Sequence, residues 1–491
     1  MNTSIVRYIL GQVLKVESIL LFLPCIVSLC YGENDIFAYL IVIGITGFIG
    51  VIGTIKKPES NVFYLKEGCI ATALSWIVMS IFGALPFVIT KDIPSFTDAL
   101  FETISGFTTT GSSILTDIEA LSYTNLFWRS FTHWVGGMGV LVFILAIIPL
   151  SGGSSINLMR AESPGPSVGK IVPKLKETAR ILYMIYFGMT IAEMLLLLIG
   201  GMPVFDSITL SLGTAGTGGF GIRGDSIASY SAYCQWIITI FMILFGVNFN
   251  AYYFILLKDF RGLFNMEEVK YYFLIIFSSI AIILIDVSHF YKNIFTALRH
   301  TAFTVGSIIT TTGYATADFN QWGDSSKFII VAIMFVGACA GSTGGGIKVS
   351  RIVLLCKGIR KELNSYIHPK SVKKIKFDGK PVEHEVFRAT NVYFMTFMIL
   401  FTISVFLISF EGYGGTTSFT AVAATMNNIG PGLAHVGPTE NFSFFSDFSK
   451  YVFMFDMLAG RLELFPLLIM FHPAIWKDLT ASKVKSKKVS R

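Results

Sequence analysis

Apolar stretches separated by short polar connections organise nearly the whole chain. Runs close to the ~20 residues needed to cross a hydrocarbon core lie at roughly 10–30, 36–55, 69–90, 126–149, 180–201, 234–257, 271–289, 327–355, 391–410 and 449–471. Ten membrane spans follow from this pattern. Between later pairs of runs lie four shorter, half-apolar segments, "SFTDALFETIS", "VFDSITLSLG", "FTALRHTAFTVG" and "TTSFTAVAATM". Each leads into a glycine-bearing stretch: "GFTTTGSS", "AGTGGFGI", "IITTTGYA" and "MNNIGPGL". The short segments cannot span a bilayer and read as re-entrant half-helices. The unit of span, half-helix, glycine-containing loop and span therefore occurs four times, with Gly111, Gly219, Gly313 and Gly430 spaced by 108, 94 and 117 residues. The first two spans stand outside it.

This predicts an all-α membrane protein of four pseudo-symmetric repeats around one pore, plus two extra N-terminal helices. Its divisions are an extension over 1–66, repeats over 67–150, 151–260, 261–388 and 389–475, and a basic tail over 476–491. Non-helical backbone at membrane depth is tolerated only where protein buries it or it lines a watery cavity. Four similar copies can close a ring about one axis. Glycine admits backbone angles other residues avoid, so successive carbonyls can turn towards that axis, and threonine adds a hydroxyl oxygen. Rings of such oxygens replace the water shell of a cation. If each half-helix enters from outside, the partial negative charge at its C-terminus also favours a cation. Asp117, Asp225, Asp318 and Glu440 follow the repeat glycines by 6, 6, 5 and 10 residues. They read equally as an outer mouth that concentrates cations and as ordinary solvated loop charges.

Composition agrees with a bilayer: 53% of the 491 residues are hydrophobic and 14% charged, against about 25% charged in soluble domains. Lysine and arginine in short loops mark the cytoplasmic side. The connections at 56–66, 160–180, 258–270, 351–388 and 477–491 hold 27 of the 38 basic residues. The opposite connections hold Lys91, Arg129, Arg223, Lys292, Arg299, Lys327 and Lys450. Both termini are expected in the cytoplasm, and the net charge of +7 needs no nucleic-acid partner. The N-terminal apolar run reads as a retained span rather than a signal peptide, because apolar character resumes without a small-residue cleavage site. The six cysteines lack CxxC spacing and read as small buried hydrophobes.

The run at 327–355 is interrupted by "GACAGSTGGGIKVSR". Glycine costs ~1 kcal/mol relative to alanine in a helix interior, so a non-helical segment is expected below the third loop. Gly341, Gly344, Gly345 and Gly346 read as a movable plug or, alternatively, as a close helix-packing surface. Lys348 just beyond is a candidate for the same neighbourhood, or a simple helix-end lysine. Arg461 lies mid-span, where a charge requires a cavity or partners; a pore is one answer, pairing with Glu463 or Asp456 the other. His133 and His435 fall near the pore and are candidates for sensing pH. "GTGGFG" at 216–221 lacks the strand and helix of a dinucleotide site, and "GSTGGGIK" has Ile347 where a phosphate-binding loop needs lysine. A membrane-embedded enzyme lacks its nucleophile or metal pattern here. A secondary transporter of another solute shares broken helices at the midplane, but fourfold repetition sets this chain apart.

From about residue 1 to 475 the chain resembles the Trk/Ktr/HKT superfamily of potassium transporters, and within it the bacterial TrkH/TrkG type. The motifs "GFTTTGSS", "RAESPGP" (160–166), "TTTGY" (310–314), "GSTGGGIK" (341–348), "NNIGPGL" (427–433) and "GRLELFPLL" (460–468) carry the likeness. The resemblance implies potassium uptake across the bacterial inner membrane by a homodimer, with one pore per chain. It also implies a cytoplasmic TrkA-like subunit that binds the regulatory nucleotide, and no cofactor on this chain itself. Carried over by position, the potassium filter comprises Thr109, Thr110, Gly111, Thr217, Gly218, Gly219, Thr311, Thr312, Gly313, Asn428, Ile429 and Gly430. The gate comprises Gly341, Gly344, Gly345, Gly346, Lys348 and Arg461. In the fourth copy Asn428 replaces a threonine, so that quarter is expected to lack the matching hydroxyl. The connections 160–180 and 356–388 are the surfaces a TrkA-like ring would meet.

Overall fold

The structure, a computed structural model, describes residues 2–58, 64–137, 139, 175–370 and 373–475, with backbone alone over 175–179. The "RAESPGP" motif, most of 138–174 and the basic tail lie outside the described residues. Six helical segments among those described are long and apolar enough to cross a membrane: Thr3–Tyr31, Ile36–Ile55, Leu65–Thr90, Arg180–Ile199, Glu267–Phe290 and His384–Ser409. These are the two N-terminal spans and the first span of each repeat. The N-terminal pair crosses at small residues; a Cβ on Gly50 would stand 2.9 Å from the Gly11 carbonyl oxygen, the close backbone approach that holds helices together in lipid.

The four half-helices are Phe96–Phe107, Val204–Gly216, Ile294–Ile309 and Gly415–Met426. At 1.5 Å per residue the 12-residue first and fourth reach ~18 Å, short of a ~30 Å core. The Ser95 and Asn293 side chains accept main-chain N–H bonds at two of their N-termini. Asp98 and Asp206 place negative charge in the first turns of the first two, complementing the helix dipole.

The second spans of the repeats differ from the uninterrupted runs expected at 234–257 and 449–471. In repeat 2, Ala232–Phe245 and Phe249–Leu256 meet at a 90° bend, and Asn248 caps the second piece by accepting the Asn250 N–H. Repeat 3 breaks between Asp324–Val336 and Val349–Ile367, as the glycine cluster predicts. Repeat 4 breaks between Asp447–Arg461 and Phe465–Leu468, where Glu463 and Leu464 take positive φ. In repeat 1 the helix Tyr123–Gly137 ends at the edge of the described residues. Apolar composition reports depth in the bilayer; continuity depends on where neighbours satisfy the freed backbone groups. The basic connection at 351–388 is more ordered than its charge suggests, with helix Val349–Ile367 and a two-stranded hairpin, Lys376–Phe377 on Lys380–Pro381.

Candidate filter and the loop beneath it

Each half-helix ends in the same turn. Thr109, Thr217, Thr311 and Asn428 all have φ near +55° (54 to 58), and Gly111, Gly219, Gly313 and Gly430 have φ of +80° to +96°. The N–H of Thr109 donates to Gly106 O and that of Thr110 to Ser105 O, and the pair of bonds recurs at Thr217/Gly218, Thr311/Thr312 and Asn428/Ile429. This is the Schellman ending of a helix, whose left-handed position is usually glycine. A β-branched residue there is a genuine outlier. Threonine holds it in three of four copies, so the side chain matters enough to offset a cost of about 1–2 kcal/mol.

The loops close on one another. A Cβ added to Gly111 would fall well inside 3.0 Å of Gly218 O, one on Gly219 inside that distance of Thr312 O, and one on Gly313 inside it of Ile429 O. A Cβ on Gly430 would stand 3.0 Å from Thr110 O, which returns to the first loop. Each glycine thus abuts the central carbonyl of the next loop, and the sequence of contacts 1, 2, 3, 4, 1 is a ring. Bonds brace it: Ser112 Oγ donates to Gly430 O (3.1 Å), Asn428 Nδ2 to Thr110 Oγ1 (2.9 Å), and Tyr314 OH to Leu210 O (3.3 Å). Gly111, Gly219 and Gly313 are partly exposed, whereas the two residues before each are buried.

The hydroxyls have different duties. Thr110 and Thr312 pair with the hydroxyls of Thr108 and Thr310 at 2.8 Å, and these donate back to Ile104 O and Gly306 O. They brace the loops from behind. Thr311 Oγ1 faces the loop below and accepts the Gly345 N–H at 2.6 Å, Thr217 Oγ1 donates to Gly216 O, and Thr109 Oγ1 is buried with no partner among the described residues. Asn428 spends its amide N–H groups on Thr110 and on Met457 O.

Residues 337–348 run beneath this ring. A Cβ on Gly344 would meet Thr310 O at 2.8 Å and one on Gly345 would meet Asn427 O at 2.5 Å. Gly341 and Gly346 have positive φ, and Gly346 packs on Gly337. Lys348 is buried, its ammonium donating to Gly344 O within the loop; it is not a solvated helix-end lysine. Arg461 donates to Thr343 O (2.8 Å) and to Gly136 O and Gly137 O (2.5 and 2.9 Å). One side chain of repeat 4 therefore ties the loop of repeat 3 to the helix end of repeat 1. The carboxylates weighed as its partners lie elsewhere: Glu463 pairs with Arg351, and Asp456 accepts from Ser404 at 2.7 Å.

The acids of the expected outer mouth are satisfied locally. Asp117 accepts the Glu119 N–H, Asp225 the Ser229 hydroxyl, and Asp318 the Asn320 N–H and the Gln321 amide; Glu440 is exposed. Arg129, counted above with the outer connections, is instead buried in Tyr123–Gly137 and paired with Glu102 of the first half-helix at 2.7 Å. The pair also reaches Ser113 and Gly221 O, behind the first and second loops. His133 donates through Nδ1 to Gly106 O and accepts the Phe220 N–H at Nε2, so a neutral ring bridges loops 1 and 2, while His435 is exposed. A charge inside an otherwise apolar run is the signal that marks Arg129 in the sequence. Nothing local marks its partner.

The family described as "TrkH: Cation transport protein" matches residues 43–478. The chain is 32% identical over 485 residues to the Trk system potassium uptake protein TrkH of Salmonella typhimurium, covering 97% of this chain and 100% of that one. It is 31% identical over 487 residues to TrkG of Escherichia coli, with the same coverages. The crystal structure of the potassium transporter TrkH from Vibrio parahaemolyticus superimposes with a TM-score of 0.87 at 30% identity, over 97% of this chain and 100% of the other.

Proposed function

This chain belongs to the TrkH family of cation transport proteins, and from that membership we propose that it takes up potassium through the ring of four loops. It is a multi-pass membrane protein and not an enzyme. The observation that carries the proposal is the closed ring, in which each repeat glycine abuts the next loop's carbonyl. Left-handed residues on either side of one central residue turn backbone oxygens to a common line, and a ring of such oxygens replaces the hydration shell of a monovalent cation. The C-termini of four half-helices add negative potential there. Thr109, Thr217 and Thr311 supply hydroxyls at the inner end, and Asn428 supplies only its backbone and one amide oxygen.

The segment 337–348 is the gate. Its docking under loops 3 and 4, with the Arg461 guanidinium on Thr343 O, supports this reading: a positive charge there repels an arriving cation and holds the plug. Cytoplasmic regulation acts through helix Val349–Ile367, which continues directly from the gate. On it Ile359, Leu363, Tyr366 and Ile367 are 60–80% exposed beside Arg360 and Lys361, an apolar stripe with basic flanks suited to a TrkA-like nucleotide-binding subunit or a second copy of the chain. The excess of lysine and arginine in the connections at 56–66, 160–180, 258–270, 351–388 and 477–491 supports cytoplasmic termini in an inner membrane. Rubidium influx into potassium-starved cells lacking their own uptake systems tests the proposal. Expression restores influx; a properly inserted protein that restores none refutes it.

A further inference from the structure

Glu268 is a buried carboxylate that no feature of the sequence singles out, and among the described residues it alone accepts main-chain N–H bonds from both flanks of the glycine-rich loop. It lies in the first turn of Glu267–Val287, the span that opens repeat 3, and is 4% exposed. Its Oε1 accepts the Ala340 N–H at 2.7 Å and the Ser350 N–H at 3.1 Å. Ala340 precedes Gly341, and Ser350 stands in the first turn of Val349–Ile367, beyond Gly346. The other oxygen, Oε2, accepts from Asn248 Nδ2 at 3.4 Å. Asn248 belongs to the bend in repeat 2, and that bend is stitched to the same loop by Cys339 N–H on Gly246 O (3.1 Å) and Phe249 N–H on Gly341 O (3.0 Å).

A carboxylate this buried is costly unless donors surround it. Here two main-chain N–H groups and one amide do so, one of them at a helix N-terminus, where negative charge is favoured. We propose that Glu268 is a positioning residue that holds the loop docked under the ring and keys it to the repeat 2 bend. The inference rests on the loop being the gate. Withdrawal of residues 340–346 breaks the Ala340 bond, while the Ser350 bond stays with its helix as a fixed point.

The test is rubidium and sodium flux through the purified full-length chain in liposomes without any regulatory partner. Glu268→Gln keeps one acceptor but turns a donor towards the Asn248 amide. Asn248 cannot rotate to receive it without losing its cap on the Asn250 N–H (3.0 Å). Loss of one charge-assisted bond of this kind corresponds to about a tenfold rise in basal flux, at an unchanged rubidium-to-sodium ratio. Adding Asn248→Asp to Glu268→Gln restores an acceptor opposite the new donor, and flux returns towards that of the unaltered chain. A merely structural role predicts no such rescue. Should Glu268→Gln fail to fold, Asn248→Asp alone sets two carboxylates against each other and raises flux by the same route. Unaltered flux in a folded single variant, or a double variant no nearer to the parent than the single, overturns the proposal. Gly345→Ala in the same assay separates the two readings: no effect there removes the gate itself, whereas an effect there with none at Glu268 removes only the anchor.

Discussion

At the scale of single residues, the filter depends on places where a side chain is forbidden and places where one is kept at a cost. Gly111, Gly219 and Gly313 combine positive φ with a neighbouring carbonyl inside the space a Cβ would need, whereas Gly430 leaves 3.0 Å. Alanine at the first three therefore displaces a ring oxygen by more than alanine at Gly430. The rubidium-to-sodium flux ratio should fall in all four variants and fall least for Gly430→Ala; an equal or reversed order would show that the carbonyl contacts do not set selectivity. The four glycines are legible in the sequence because they recur beside similar half-apolar segments. The left-handed threonines before them are not, since threonine disfavours that conformation and only the packed surroundings of the assembled loops hold it there.

Elements add ties between repeats that no repeat contains by itself. Arg461 spans from repeat 4 to carbonyls of repeats 1 and 3, so Arg461→Ala frees the loop and should raise rubidium flux by about tenfold, the worth of its one charged hydrogen bond to the loop at Thr343 O. Gly345→Ala drives a Cβ towards Asn427 O and Asn428 and should impair gating. Unchanged flux in both, at equal expression, would place neither residue in the gate. Glu102 and Arg129 join the first half-helix to the helix after it, with side chains 0–1% exposed. Breaking such a buried pair by Arg129→Gln or Glu102→Gln leaves a charge without its partner and should cost about 3–5 kcal/mol, seen as a lower unfolding midpoint in detergent. Replacing both should cost less than the sum of the single changes. The sequence shows Arg129 as a charge in an apolar run, but its spacing of 27 residues from Glu102 carries no local signature.

For the whole molecule, four unequal quarters make one ring. The fourth has Asn428 and Ile429 where the first has two threonines, and the Asn428 amide braces loop 1 instead of matching the hydroxyls. A ring of unequal quarters should discriminate potassium from sodium less strictly than four identical loops do. Sodium competition against rubidium uptake measures this, and discrimination as sharp as that of a tetrameric potassium channel would contradict it. The sequence by itself determined the membrane class, the four-copy plan, the half-helices, the register of the loops and the break at the glycine cluster. Each of these is written in local hydrophobicity, chain length and the conformational freedom of glycine. Only the tertiary structure decided where the other spans break, which hydroxyls brace the loops from behind, and which partners hold Arg461, Arg129 and Glu268. The charged partnerships join residues tens to hundreds of positions apart, and a buried charge takes whatever donors and carbonyls the assembled helices bring within reach.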